Sequence, residues 1–316
     1  LHVAEVIANG QGSALFPEGT AHEDSMMRRL RTGPMRSVIA ANSIARERGA
    51  PPPHLLPVGL HYRVSWYFRT DAWFEYGNPI SLEDAVHSAE DRKRLLEGEW
   101  VEAPADTVNT LRDQVREDLT PLTPDASTWD EHRTWHVLGH LRSIAKGKRL
   151  NSWREEVLAA RTIREEIRLE PNNLISLKEP ANRVGKALHS VGLDGRALDS
   201  NGFRNPSMKE YLAVLPAIVL ALLAAPLTLY GSGVMILIAK ILGDNTDEGL
   251  DARTTYHFLA AMLGPMIIWP IPMAIFALYA FIGPFTISAL QIAPITVLLP
   301  FAFHLSNKIA LPASDF

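Results

Sequence analysis

Hydrophobic and polar positions divide the chain into three stretches of different period. Residues 11–16 predict a short strand ending in a turn at Pro17-Glu18-Gly19. Residues 36–48 have helical spacing, with Val38, Ile39, Ile44 and Ala45 among the apolar positions and Gly49 as the stop. Pro51-Pro52-Pro53 marks a loop. Leu55 to Leu60 predicts a buried strand, and Ala72 to Tyr76 predicts another, closed by Gly77-Asn78-Pro79. Strand, helix, strand, strand fits part of an α/β layer fold.

From Leu82 to Arg204 the pattern turns helical and heavily charged. Segments 82–98, 107–119, 129–147 and 152–169 are each amphipathic, punctuated by Pro104, Pro121, Pro124 and Pro171. From Tyr211 the polarity drops. Residues 211–239 carry no formal charge, and residues 254–307 contain no Asp, Glu, Lys or Arg. A membrane-spanning helix needs roughly 20 apolar residues. The second stretch is therefore long enough for two spans, near 257–281 and 285–305, with Gly283-Pro284 as the turn. In the first stretch, Pro216, Pro226, Gly231 and Gly233 either kink one long span or break it into a re-entrant pair. The polar loop from Asp244 to Arg253 belongs outside the hydrocarbon. A pair of buried core helices is the competing explanation for these stretches.

Composition sharpens this division. The chain has 316 residues and a net charge of −4, a balance that offers nothing to nucleic acid. Of its 66 charged residues, 56 fall in 1–206. The absence of cysteine excludes disulfides, thiolate metal sites and a cysteine nucleophile. The expected regions are 1–81, 82–206 and 207–316. The first residue is Leu1, and the expectation is that the chain continues upstream of it.

Candidate chemistry concentrates between Ala14 and Gly33. A tight turn there presents Glu18 and free backbone amides, and Gly19 lets a ligand approach the backbone. Arg28, Arg29, Arg31 and Arg36 follow, a cluster suited to phosphate. The same features also describe a surface turn with a solvated arginine face. Elsewhere, His132, His136 and His140 recur at four-residue spacing, which places them along one helical face. Three imidazoles are a zinc-ligating set in principle, but no carboxylate accompanies them in a metalloprotease arrangement. A packed or solvated stripe is expected, without metal. Trp100, Trp129, Trp135 and Trp153 lie in the same region, as membrane-surface anchors or as core.

The segment Phe16-Pro17-Glu18-Gly19-Thr20 resembles the third motif of the glycerol-3-phosphate and lysophosphatidate acyltransferase superfamily. Leu30-Arg31-Thr32-Gly33 resembles the basic step that follows it, and Leu55 to Leu60, around Pro57, resembles the fourth motif. Phe68-Arg69 and Phe74 to Ile80 are similar to the strand and turn beyond. The likeness is motif-specific over 3–81. Over 207–282 it extends only to the hydrophobic layout, which is similar to the branch acting on glycerol 3-phosphate or dihydroxyacetone phosphate.

The resemblance implies an α/β fold: the C-terminal part of an acyltransferase α/β domain, then a charged helical region and about three transmembrane helices. It implies a fatty acyl transfer from acyl-CoA or acyl-ACP to a glycerol-phosphate acceptor, with a lipid bilayer as further partner and no cofactor. By position, Phe16, Pro17, Glu18, Gly19 and Thr20 would bind the acceptor, Arg31 would contact its phosphate, and Pro57 would shape the site. The family's His-x-x-x-x-Asp dyad precedes the third motif. No such motif precedes Phe16 here, so the dyad is expected upstream of Leu1. His189 and Asp194 have the spacing but follow the third motif, and His22 beside the motif is at most an acceptor contact. Competing readings are a lysophosphatidate acceptor, a noncatalytic membrane scaffold with a degenerate domain, and a small transporter. The last is disfavoured because the apolar segment holds no ionisable Asp, Glu, Lys or Arg except Lys240 near an end. Arg204 and Lys209 flank the first apolar stretch, which puts the soluble part on the cytoplasmic side.

Overall fold

The computed structural model describes residues 1–20, 22, 24–64, 70–205, 207–246, 251–282 and 298–308. The chain divides into two compact units, Leu1–Arg63 with Asp71–Phe203, and Val64–Thr70 with Arg204–Phe316. It is mostly helical, with two small antiparallel sheets among the described residues.

In the first unit, α1 (His2–Ala8) packs on α2 (Gly33–Glu47). Pro34 sits in the first turn of α2, where its missing N–H costs nothing. Helix α2 is apolar on two faces. Ala40, Ala41, Ile44 and Ala45 meet Ala4 and Ala8 of α1 and Leu95 of α3 (Ala89–Leu96). Met35, Val38 and Ile39 join Leu30, Ile80 and Leu82 and the Val108, Leu111 and Val115 face of α4 (Ala105–Leu119). Residues from 1–81 and 82–206 thus share one core.

Two buried polar side chains of α2 explain why the predicted helix 82–98 shortens to α3. Asn42 donates to the carbonyls of Leu82 and Ala85 at 2.5 and 3.1 Å. Ser43 Oγ accepts from the His87 amide at 2.9 Å. These bonds hold 82–87 in a non-helical path, and Ser88 then caps α3 by accepting from the Asp91 amide.

The strand expected at 11–16 is not formed. Those residues are exposed and lie beside no described strand, so their backbone groups have no ladder to join. The strand expected at 55–60 starts instead at Val58, because Pro57 has no amide to donate. Before it, Leu55 makes one isolated bridge to Ile80. Strands β1 (Val58–Tyr62) and β2 (Ala72–Tyr76) pair antiparallel, Gly59 opposite Glu75 and His61 opposite Trp73. This hairpin is inverted. Its inward face carries Gly59, His61, Trp73 and Glu75, while Leu60, Tyr62, Phe74 and Tyr76 on the other face are exposed. The α/β expectation reduces, among the described residues, to this hairpin and the two-residue strands β3 (Leu198–Asp199) and β4 (Gly202–Phe203).

Helices α5 (Trp129–Ala145), α6 (Trp153–Leu169) and α7 (Ile175–Ser190) pack around Trp135, Leu138, Ala160, Ile163, Ala181 and Leu188. Thr128 and Ser152 cap the first two by accepting from the Glu131 and Glu155 amides. Gly139 admits this packing, since a Cβ there would lie 3.1 Å from the Ala159 Cβ.

In the second unit, α8 (Met208–Thr228) continues through a π turn at Leu229–Gly233 into α9 (Val234–Asp244). Tyr211–Asp244 is one unbroken helical run of 34 residues, so its prolines and glycines do not break the helix. At the π turn, Trp269 Nε1 donates to the Gly231 carbonyl at 2.9 Å and Tyr230 Oη donates to the Ile268 carbonyl at 3.0 Å. Helix α10 (Asp251–Ile268) packs along α9, and α11 (Pro270–Ile282) follows. Two helical runs, Tyr211–Asp244 and Thr255–Tyr279, are long and apolar enough to cross a membrane. Almost nothing in them is buried by protein, unlike a pair of core helices. The Gly283-Pro284 turn and most of the expected 285–305 span lie outside the described residues, while 298–308 is helical.

Candidate functional site

Two polar assemblies stand out in the first unit. The first is the turn expected from sequence. Gly19 adopts a φ of 71°, a left-handed conformation that costs glycine little, and its amide donates to the Phe16 carbonyl at 3.1 Å. The Arg31 amide donates to the Pro17 carbonyl at 2.7 Å, which draws the chain back beside the turn. The Arg31 side chain then lies on Gly19, where a Cβ would stand 2.9 Å from its Cγ. Arg29 and Arg31 are exposed, and neither guanidinium has an ion-pair partner among the described residues.

Glu18 faces inward from the same turn. Its Oε2 accepts from the Arg28 amide at 2.7 Å and lies 2.6 Å from His22 Nε2. His22 Nδ1 in turn accepts from the Asp24 amide at 3.1 Å. Glu18 is therefore an anchor of the turn, with its charge already engaged. Phe16 is 76% exposed, and Thr20 is exposed as well. The turn is tied to the helical region where Ser25 and Ala126 exchange bonds of 2.8 and 3.1 Å. Pro57 belongs to the hairpin instead: it is buried, and its carbonyl accepts from the Gly77 amide at 2.9 Å. Phe68-Arg69 lies outside the described residues.

The second assembly was not expected from sequence. It fills the space between the inward face of the hairpin and helices α5 and α6. Arg161 grips Glu75 through two nitrogens at 2.7 and 2.5 Å, and His61 Nε2 lies 3.1 Å from the same carboxylate. Arg63 reaches Glu156 at 2.6 and 2.8 Å and Asp194 at 3.0 Å, and its guanidinium sits 4.6 Å from the Trp153 ring centroid. His140 Nε2 lies 3.1 Å from Glu156, whose side chain is 2% exposed. Trp153 Nε1 donates to the His61 carbonyl at 3.1 Å.

The electrostatics follow from burial and pairing. Burial by itself would raise the Glu75 carboxyl, but the Arg161 bonds outweigh it and hold Glu75 below the usual range. Burial likewise opposes Glu156, and the hydrogen bonds from His140 and Arg63 bring it down. Burial lowers His61 despite Glu75, so its imidazole is neutral at pH 7. His132 is lowered to about 4, first by burial and then by Arg133. His136 is lowered for the same reason, with His132 as the next contributor.

The imidazoles at positions 132, 136 and 140 do not converge. His136 stacks on Trp153 with ring centroids 5.2 Å apart, His132 lies 4.6 Å from His136, and His140 turns to Glu156. Among the described residues, no group of three or more His, Asp or Glu side chains has an arrangement that could hold a metal ion. The His-x-x-x-x-Asp spacing at 189–194 also separates in space: His189 Nε2 meets Arg133 at 3.1 Å, and Asp194 meets Arg63. Trp135 is core and Trp153 is half-buried, while Trp100 and Trp129 are exposed.

A small cavity of about 20 Å³, room for one or two water molecules, opens among His61, His132, Trp135, His136, Arg161 and Arg164. Trp135 Nε1 and His136 Nε2 are both buried and have no hydrogen-bond partner among the described residues. Each buried donor or acceptor left unpaired costs about 1–3 kcal/mol. The signals that could have pointed here were the four-residue histidine spacing and the polar alternation of His61 with Arg63 and of Trp73 with Glu75. Neither indicates which helices those residues meet. Compared with protein-family models, with characterised proteins and with solved structures, the chain finds no match.

Proposed function

We propose that this chain is the acceptor-holding part of a membrane-bound glycerolipid acyltransferase. The reaction moves a fatty acyl group from an acyl-CoA or acyl-ACP thioester to a hydroxyl of glycerol 3-phosphate or dihydroxyacetone phosphate. The observation that carries this reading is the Gly19 turn. Arg31 packs across Gly19 and is exposed, as is Arg29 two positions before it. Two exposed arginines with no ion-pair partner among the described residues, one of them packed on a glycine turn, suit a phosphate monoester. Glu18, held by the Arg28 amide and His22, fixes the turn's shape.

In this scheme the acceptor's phosphate sits on Arg31 and Arg29, and its hydroxyl oxygen attacks the thioester carbonyl. The C–O bond forms, the C–S bond breaks, and the thiol leaves. The hydroxyl proton passes to a general base, which the resemblance assigns to the His of a His-x-x-x-x-Asp dyad preceding the third motif. The exposed apolar face of Leu60, Tyr62, Phe74 and Tyr76 supports a larger α/β domain, because a face of this kind calls for a cover. The two apolar helical runs support a membrane location, which suits a lipid product.

The test uses the full-length polypeptide in membranes, with acyl thioester and glycerol 3-phosphate as substrates. Arg31→Ala is expected to raise the acceptor's KM about tenfold or more, the worth of a charge-assisted hydrogen bond, while the KM for the thioester changes little. Unchanged kinetics in the folded variant would remove Arg31 from the site. Faster turnover with lysophosphatidate would move the acceptor assignment, and no turnover with either acceptor would favour the noncatalytic scaffold. The flanking Arg204 and Lys209 favour a cytoplasmic first unit. Since the chain has no cysteine, a single Ser200→Cys label reports the side directly. Labelling by an impermeant reagent from outside intact cells would reverse the orientation.

A further inference from the structure

The cavity behind the hairpin has a chemistry that the acyl-transfer reading leaves unused. Its polar lining is rich in donors. Trp135 is 4% exposed, and its indole N–H can only donate. That N–H has no partner among the described residues, and neither has His136 Nε2. His132, next along the wall, makes ring contacts with Trp129, Trp135 and His136 and no hydrogen bond among the described residues. Arg161 and Arg164 complete the wall.

The two arginines are held in place by other partners. Arg161 is bound to Glu75, and Arg164 donates to the Glu165 carboxylate at 2.7 Å and to the carbonyls of Thr123 and Pro124 at 2.7 and 3.1 Å. Their positions are therefore set before any ligand arrives. Among the described residues no carboxylate lines the cavity itself, although Glu75 and Glu165 pair its two arginines. A buried unpaired indole N–H beside an unpaired imidazole nitrogen and two held guanidinium groups selects a group that accepts hydrogen bonds. The volume admits one or two oxygen atoms and not a bulky group.

We propose that this cavity is a binding site for a small oxyanion, one or two of whose oxygens enter to accept from Trp135 Nε1 and His136 Nε2. Phosphate, sulfate, a carboxylate and a phosphate monoester share that chemistry, and the remainder of the molecule stays at the open mouth. The site does not depend on the Gly19 turn or on acyl transfer, so the two assignments fail separately.

The experiment is calorimetric titration of the full chain carrying Arg29→Ala and Arg31→Ala, which removes the phosphate cradle proposed at the Gly19 turn, in detergent with sodium sulfate at constant ionic strength, repeated with phosphate, acetate and glycerol 3-phosphate. Saturable binding of one sulfate per chain is expected. Trp135→Phe keeps an aromatic ring, removes the donor and is expected to weaken binding about tenfold. His136→Phe keeps a ring beside Trp153 and is expected to do the same. Tighter binding of glycerol 3-phosphate than of phosphate would identify an organic monoester as the ligand; the reverse order would identify the free anion. Absence of saturable sulfate and phosphate binding in this Arg29→Ala, Arg31→Ala background overturns the proposal. So do folded cavity variants that bind as this parent does. Should both variants misfold, wild-type histidine NMR decides. Sulfate must then shift the His132 and His136 ring signals, and shifts confined to His22, His54 or His87 reject the site.

Discussion

Gly59 and Gly77 show how single residues set the hairpin in place. Both face Leu122, whose 3₁₀ turn (Thr120–Leu122) lies directly against the strands. A Cβ at Gly59 would stand 2.9 Å from the Leu122 Cβ and would collide with its carbonyl oxygen; at Gly77 it would stand 3.0 Å from Leu122 Cδ1. Gly59→Ala should therefore cost about 1–3 kcal/mol of overpacking. A lowered urea midpoint with unchanged slope checks this, and a midpoint equal to the wild type's would show that the 3₁₀ turn yields freely. Gly19 has a different role. Its positive φ and its contact with Arg31 join backbone shape to the position of a charge. Sequence reading singled out Gly19 and Arg31 but could not foresee that one packs on the other. That contact requires the Arg31 amide to reach the Pro17 carbonyl across fourteen positions.

Elements matter most where β1, β2, α5 and α6 enclose charge. A hairpin face bearing His61 and Glu75 would ordinarily look to water, and here it looks to Arg161. Glu156 is the deepest of these carboxylates, and it depends on Arg63 and His140. Removing one partner from a buried ion pair leaves the other uncompensated, at a cost of about 3–5 kcal/mol. Arg63→Ala should approach that loss, and Glu156→Gln should behave alike. Their double variant should lose much less than the sum, which a double-mutant cycle in urea measures. Additive losses would mean that the pair is not energetically coupled. The helices themselves were largely legible from spacing and caps: Thr128 and Ser152 stand where α5 and α6 begin. Helix α7 was missed, for it carries Pro180 inside and starts at Leu174 with a φ of 57°. Both features read locally as breaks.

At the scale of the molecule, burial of neutral imidazoles predicts how the first unit responds to acid. His61, His87, His132 and His136 all have folded values below their ordinary 6.5, with His132 near 4. The unfolded chain then binds more protons than the folded one between these limits. Stability from these groups is fully present above pH 6.5 and is lost as pH falls towards 4. The lowered carboxyls of Glu75, Glu156 and Asp194 add a further loss below about 4.5. A urea midpoint falling steadily from pH 6.5 to 4 is expected, and a flat profile there would show the imidazoles to be solvated. The second unit calls for a different test. With almost none of its apolar run buried by protein, it should stay in the membrane fraction through alkaline carbonate extraction. Release into the soluble fraction would exclude a spanning arrangement.

The sequence alone determined where the polarity changes, because a run of 54 residues (254–307) holds no Asp, Glu, Lys or Arg and is long enough for helices of membrane-spanning length. It also determined most helix starts and the turn at Gly19, since caps, glycine and proline act on their own backbone and need no distant partner. Tertiary structure alone decided that 11–16 is no strand, because a strand exists only through the neighbour that pairs with it. It alone decided that the first apolar stretch stays helical through its glycines, where Trp269 and Tyr230 make hydrogen bonds about the π turn. And it alone assembled Arg63, Glu75, Glu156 and Arg161, whose charges lie far apart along the chain and meet only when a hairpin folds against two helices.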